Sequence, residues 1–199
     1  MGQFIISVSR EYGSGGHYIA TVLSEKFNIP MYDRNMLDQL AERNGIDAEN
    51  LYKHEEMKHV GLHRTVRGHS SSVSDSIAQI QFNFIKEKAE SGESFVVVGR
   101  CAENVLRDNP ALISIFVRGE EETKVERICR LYKLNKLEAK AKMFRHDKKR
   151  KAYHNYYSKM KWGDSRGYDL CVNSSLMGVE ATADALYDMI SGYLKRKEQ

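Results

Sequence analysis

Apolar residues in this chain fall into short runs that alternate with stretches repeating every three to four positions, a pattern of strands alternating with helices. Phe4, Ile5, Ile6 and Val8 make the first strand pattern, and Ile19, Ala20, Val22, Leu23 and Phe27 the helix after it. Ile29–Asp33 reads as a short second strand, and Arg34–Arg43 as a helix with Met36, Leu37 and Leu40 on one face. Gly45–Ser74 is polar, rich in His and Ser and weakly periodic, which predicts a mobile insertion. An amphipathic helix (Ile77, Ile80, Phe84, Ile85) begins near Asp75, with Ser74 or Asp75 as its cap, and ends near Gly92. Phe95–Val98 and Leu112–Val117 are continuous apolar runs, as expected of strands buried on both faces. A helix carrying Val125, Ile128, Cys129 and Tyr132 follows, then a basic block that reads as two helical pieces. A short strand, Asp169–Asn173, precedes a closing helix through Val179, Ala183, Leu186 and Ile190. The order predicts an α/β fold with a parallel sheet covered on both sides, and ligand sites at the carboxyl ends of its strands.

The chemistry suggested by the pattern starts at Ser9-Arg10-Glu11-Tyr12-Gly13-Ser14-Gly15-Gly16-His17, between the first strand and the first helix. Glycines let backbone N–H groups converge on one anion, and a helix N-terminus adds partial positive charge. Gly13, Ser14, Gly15, Gly16 and His17 are therefore the candidate phosphate cradle. The usual phosphate-binding loop reads G-x-x-x-x-G-K-[ST]. Aligned on Gly15, this chain has Arg10 for the first glycine, Gly16 for the lysine and His17 for the hydroxyl residue. The motif is degenerate, and Arg10 is a candidate for the missing positive charge, unless Glu11 holds it in an ion pair. Asp33, Gly99-Arg100 and Arg118 also fall at strand ends.

Composition narrows the setting. At 199 residues and 41% hydrophobic, the chain supports one full core, read as a single domain over residues 1–199. Three scattered cysteines without C-x-x-C pairing argue against a disulfide framework or zinc site and for a reducing cytoplasm. No apolar run is long enough to span a membrane, and the N-terminus does not resemble a signal peptide. The net charge of +4 hides an uneven spread: Lys136–Lys161 holds ten Lys/Arg against two acids. Such a block suits a nucleotide's phosphates or a nucleic acid backbone, and equally a solvated helix face.

Several collinear motifs identify the chain more closely. They are S-R-E-Y-G-S-G-G at 9–16, Y-D at 32–33, V-V-V-G-R-C-A at 96–102 and D-K-K-R-K-A-Y-H-N-Y-Y at 147–157, completed by W-G-D at 162–164 and Y-D-L-C-V-N-S-S at 168–175. Together they resemble the cytidylate-kinase-like family of P-loop nucleoside monophosphate kinases. The resemblance implies a three-layer P-loop fold with a five-stranded parallel sheet, an acceptor-binding insertion at 34–90 and an arginine-rich helical lid at 134–166. It implies transfer of the ATP γ-phosphoryl group, with Mg2+, to a nucleoside monophosphate of the CMP type or a related small acceptor. It also places Arg100 and Asp33 on the acceptor, and Arg145, Asp147 and Arg150 on the lid; Arg10, Arg145 and Arg150 are the candidate catalytic cations. No protein metal ligand is evident: His17 is no hard oxygen ligand for magnesium, and the strand 95–98 ends in Val98 rather than a carboxylate. The expected partner is a nucleotide or other phosphorylated small molecule, not a nucleic acid or a membrane; oligomeric state is open. Two other readings stand beside the enzyme. One is a phosphate-binding sensor that keeps the cradle without turnover. The other is an RNA-binding protein using residues 136–161, which lacks a recognised RNA-binding signature.

Overall fold

The structure, a computed structural model, describes residues 2–35, 40 and 73–197. Five strands form one parallel sheet: β1 (Ile5–Arg10), β2 (Met31–Tyr32), β3 (Phe95–Val98), β4 (Leu112–Arg118) and β5 (Leu170–Asn173), in the order β2-β3-β1-β4-β5. Helices fully within the described residues are α1 (Gly16–Phe27), α2 (Val73–Glu90), α3 (Ala102–Val105), α4 (Glu121–Tyr132), α5 (Lys136–Tyr157) and α6 (Val179–Lys197). β1 is central, with Val8 opposite Val98 of β3 and Ile115 of β4. All strands run the same way, so the ends of β1, β3 and β4 form one edge where loops from three crossovers meet.

Strand alternation sorts the core. Ile6 and Val8 of β1, Val96 and Val98 of β3, and Ile113, Ile115 and Val117 of β4 face α1 and α6, packing on Ile19, Leu23, Leu186 and Ile190. On the opposite face Ile5, Phe95 and Val97 pack on α2 and α3 through Ile85, Ala89 and Ala102. The same face turns polar towards β4, where Ser7, Ser9 and Ser114 are buried. Buried hydroxyls need partners. They find them in Glu103, which accepts from Ser9 at 3.2 Å, and in Asp169, which accepts from both the Ser114 hydroxyl and amide at 2.7 Å.

Two expectations about the elements are corrected. The basic block is one 22-residue helix, α5, not two pieces. No glycine or proline interrupts it, and Asn135 starts it with a reciprocal cap: its side chain accepts the Glu138 amide while Glu138 accepts the Asn135 amide. The helix expected from Asp75 begins two residues earlier, at Val73. Of the helix expected over Arg34–Arg43, the described residues Arg34, Asn35 and Leu40 are helical. The Gly45–Ser74 stretch lies outside the described residues up to position 72, and with it much of the expected insertion.

α5 is held at both ends. Its N-terminal half packs Ala139 and Met143 on Val125 and Ile128 of α4. Its far end carries His154, buried and 2.8 Å from Glu103 through Nε2. The helix therefore depends on its cap for direction. Asn135→Ala should lower stability by about 1 kcal/mol, read as a lower urea midpoint at unchanged slope.

Candidate functional site

The turn after β1 is shaped by three close approaches. Gly13 and Gly15 have φ values of 88° and 78°, which side-chain-bearing residues seldom adopt. A Cβ on Gly15 would lie 2.6 Å from a methyl group of Val179, and one on Gly13 would lie 3.0 Å from the Lys124 carbonyl oxygen. Gly15 precedes α1 without any side-chain cap, so the first amides of α1 have no side-chain acceptor there. Ser14 is turned inward: its hydroxyl donates to the Glu11 carbonyl at 2.9 Å, and its own carbonyl accepts from Ser174 at 2.6 Å. A fixed loop at the head of a helix is the geometry an anion needs.

Gly16 and Arg10 are coupled. A Cβ on Gly16 would collide with Arg10 Cβ at 2.5 Å and press on Val117 at 3.3 Å. The position that holds lysine in an ordinary phosphate loop has no room for a side chain here, because Arg10 fills it from β1. Bulk and charge have changed places: the residue aligned with the first glycine is the arginine, and the one aligned with the lysine is the glycine. The Arg10 guanidinium reaches across to Gly99 at the end of β3, whose φ of 77° itself favours glycine. Arg10 does not pair with Glu11, contrary to that alternative. Glu11 instead accepts from buried Lys124 at 2.8 Å and from the Gly119 amide at 3.1 Å, which ties the loop to α4.

Charge accumulates around Arg10. Burial first, then Arg150 and Arg100, pull its pKa down to about 9, with Asp33 opposing them. It stays protonated at neutral pH, but at a cost that an anion beside it would offset. Its buried Nε has no hydrogen-bond partner among the described residues. Arg150 donates to the Arg10 carbonyl at 3.1 Å and lies over the Tyr12 ring at 5.3 Å. Arg100 stands over the Tyr153 ring at 5.4 Å. It follows Gly99 in a turn where three successive residues are left-handed: Gly99 at 77°, Arg100 at 58° and Cys101 at 52°. Holding two non-glycine residues there costs on the order of 1 kcal/mol each, and such strain gathers at functional sites.

The structure brings together Arg10, Arg100, Arg150 and Asp33 around the glycine turn. His17, the second residue of α1, faces Asp33 across 3.2 Å. Asp147 is nearby, but its carboxylate accepts the Tyr12 amide at 2.7 Å and so fastens α5 to the turn. Arg145 is exposed on α5, beside Tyr12 and His146 rather than Arg10. Arg118 is half exposed and pairs with Glu120 at 3.1 Å. Reasoning from sequence missed Lys124, Glu103, His154 and His146. Lys124 and Glu103 are ordinary helix residues by spacing, and only the fold buries them. Cys101 is buried with its thiol pushed up by desolvation, in keeping with a packed residue.

Tyr12 and His146 stack at 4.2 Å, nearly parallel, and Tyr132 also stacks on Tyr12 at 6.3 Å. Among the described residues no three His, Cys, Asp or Glu side chains converge on a common point.

The fold is that of P-loop kinases. Solved structures sharing it include a shikimate kinase from Bacteroides thetaiotaomicron (15% identity, 94% of this chain and 98% of that one, TM-score 0.54). A gluconokinase from Sinorhizobium meliloti shares it too (17%, 98% of each chain, TM-score 0.56). A model of the cytidylate kinase-like family matches residues 5–176, and the chain belongs to that family. An uncharacterized protein from Eubacterium ventriosum ATCC 27560 is 38% identical over 95% of this chain and 99% of its own, with a TM-score of 0.77. No curated protein matches the sequence. Among the described residues no helix is long and apolar enough to cross a membrane.

The His146 stack makes a pH prediction. Burial, then Arg150 and Arg145, lower its pKa from 6.5 to about 4. The unfolded chain therefore binds a proton between about pH 6.5 and 4 that the folded chain refuses, and stability falls as pH falls through that window. The ring is partly exposed, so the loss is on the order of 1 kcal/mol. His146→Gln should abolish that part of the decline in urea melts at pH 7, 5.5 and 4.

Proposed function

We propose that this protein is a nucleotide-dependent phosphotransferase that moves the ATP γ-phosphoryl group to a small phosphorylated acceptor of the nucleoside monophosphate type. The observation that carries the reading is the buried Arg10 guanidinium, packed with Arg100 and Arg150 beside a glycine turn at the head of α1. Phosphoryl transfer asks the protein to align donor and acceptor and to neutralise spreading charge on the transferred group. Glycine-turn amides from Gly13 to Gly16 cradle the donor's phosphates. Arg10 supplies the charge of the absent lysine, entering from the end of β1 rather than from the helix. Arg100 holds the acceptor's anionic group, aimed by its strained turn. Arg150 joins the donor side from α5, with Asp147 keeping that helix against the loop. Asp33 stands on the acceptor side, held by His17 at 3.2 Å, and magnesium would arrive on the ATP phosphates. Residues 134–166 act as the lid and 34–90 as the acceptor region. A phosphate-binding sensor without turnover remains the competing class, because the same cradle would serve it.

The deciding experiment is an ATP-consumption screen over nucleoside monophosphates and small hydroxylated metabolites, with and without magnesium. Magnesium-dependent transfer to a monophosphate is expected; measurable nucleotide binding with no transfer to any acceptor would establish the sensor.

Substitutions then test the roles. Arg100→Ala should weaken acceptor binding by about 1.5–3 kcal/mol in calorimetry, the value of a charge-assisted hydrogen bond, with ATP affinity preserved. Arg150→Ala should lower kcat by roughly tenfold or more, about 1.4 kcal/mol on the barrier. Arg10→Gly should cost on the order of 10²-fold in kcat. Gly16→Lys alone should also fail, because Arg10 fills the space its Cβ needs. The double variant, Arg10→Gly with Gly16→Lys, should recover part of the activity; a double variant no better than the worse single one would remove Arg10 from the lysine's role.

A further inference from the structure

The segment Tyr153-His154-Asn155-Tyr156-Tyr157 closes α5, and the phosphotransfer reading so far gives it no task. Its side chains hold other elements. Tyr153 lies under the Arg100 guanidinium at 5.4 Å, and His154 Nε2 stands 2.8 Å from Glu103 Oε1. Asn155 accepts the Trp162 amide at 2.9 Å, and Tyr157 stands edge-on to Phe82 of α2 at 5.3 Å. Asn104, the neighbour of Glu103 on α3, adds two more ties. Its side-chain amide donates to the Tyr157 carbonyl at 3.2 Å, and its side-chain oxygen accepts from the Ser158 hydroxyl at 3.4 Å. Glu103 and Asn104 are thus seamed to His154, Tyr157 and Ser158.

What precedes each side of the seam gives it meaning. Arg100 comes three residues before Glu103, in the left-handed turn that opens α3. Arg150 comes four residues before His154, one turn along the same face of α5. The seam therefore lies directly behind both arginines and fixes one against the other. The pair at its centre is a poor source of stability. Both side chains are buried, and apart from their mutual contact Glu103 Oε1 and His154 Nδ1 find no hydrogen-bond partner among the described residues. Desolvation is incompletely compensated, and uncharged side chains of similar volume would serve stability as well or better. What the pair supplies is a single register. Glu103 also accepts from Ser9 of β1 at 3.2 Å, so its carboxylate is anchored to the central strand and His154 has one place to meet it.

We propose that Glu103 and His154 are positioning residues for phosphoryl transfer: through the seam they hold Arg100, on the acceptor side, in register with Arg150, on the donor side. The inference rests on the phosphotransfer reading and deepens it. Each arginine can grip its own ligand without the seam; their mutual placement cannot be kept without it. In-line transfer tolerates little displacement of donor from acceptor, and a shift of about 1 Å costs on the order of 10²-fold in rate. Loss of the pair therefore acts on kcat and leaves both affinities in place.

The test uses the full-length protein with ATP and whichever of CMP, UMP, AMP and GMP the wild type phosphorylates fastest. The double variant Glu103→Gln with His154→Leu removes the pair without stranding a buried charge, and its amide still accepts from Ser9. Its urea midpoint should stay at or above that of the wild type. Its kcat should fall by about tenfold or more, while the Kd values of the monophosphate and of adenylyl imidodiphosphate, each read by calorimetry, stay within about threefold. His154→Gln, whose amide nitrogen can stand where Nε2 stands, should recover most of the lost rate. If the double variant does not fold, Asn104→Ala carries the test: it removes two flanking bonds and no charge, and should lower kcat several-fold at unchanged affinities. A folded variant with wild-type kcat, a loss of kcat that merely follows lost affinity or a lower urea midpoint, or a His154→Gln no better than the double variant would each overturn the positioning role. A wild type that transfers phosphate to none of the four monophosphates would instead overturn the phosphotransfer reading, and this inference with it.

Discussion

Arg10 is the constraint around which the site is arranged. A guanidinium at the end of the central strand, buried against Gly99 and with no partner for its Nε among the described residues, imposes conditions on its neighbours. Gly16 must lack a side chain because the Arg10 stem crosses its Cβ position. Gly99, at a φ of 77°, borders the guanidinium. Glu11, the adjacent acid, is drawn off to Lys124 and the Gly119 amide rather than to Arg10. Asp33 is the carboxylate that acts on it electrostatically, against Arg150 and Arg100. Positive charge held in low dielectric with so little compensation is costly for folding. It becomes favourable when a phosphate arrives, and that difference is the physical basis of the proposed activity.

The long helix α5 converts this local arrangement into a connected one. Through Asp147 it accepts the Tyr12 amide, through Arg150 it reaches the Arg10 carbonyl, and through His154 it meets Glu103 below the sheet. Three contacts spaced over two turns place one face of the helix against the end and the polar flank of β1. The polar flank has its own logic. Ser7, Ser9 and Ser114 leave room where larger apolar side chains would fill the sheet surface, and Glu103 with His154 occupies that room. A carboxylate and an imidazole in such a place need each other, since either alone would leave an unpaired buried polar group.

Much of this was legible in the chain. Short apolar runs located β1, β3, β4 and β5, and their alternation with helical periodicity gave the parallel sheet, because side-chain burial on both faces demands that pattern. The glycine turn marked the candidate cradle, and the placing of Asp33, Arg100 and Arg118 at strand ends followed from the order of elements. The unity of α5 was less legible: a run of lysines and arginines has no apolar stripe to mark its period, and only the Asn135–Glu138 cap and the absence of a breaker decide it. Glu103, His154 and Lys124 carried no signal in sequence. A buried charge looks like a surface charge until the fold shows what surrounds it.

What the sequence determined by itself was therefore local and periodic: which segments are strands, where glycine frees the backbone, and that a lysine and a hydroxyl are missing from the phosphate loop. Tertiary structure decided which side chain fills the space at the lysine's position. Arg10 and Gly16 are six residues apart, and nothing in that spacing says that one fills the space of the other. Their contact arises because the turn folds the start of α1 back against the end of β1, and side-chain volume then admits only one of the two. Likewise Arg150 joins Arg10 across 140 residues of chain. Close packing and electrostatics act on distances in space, so the composition of the site could be written only once those distances were fixed.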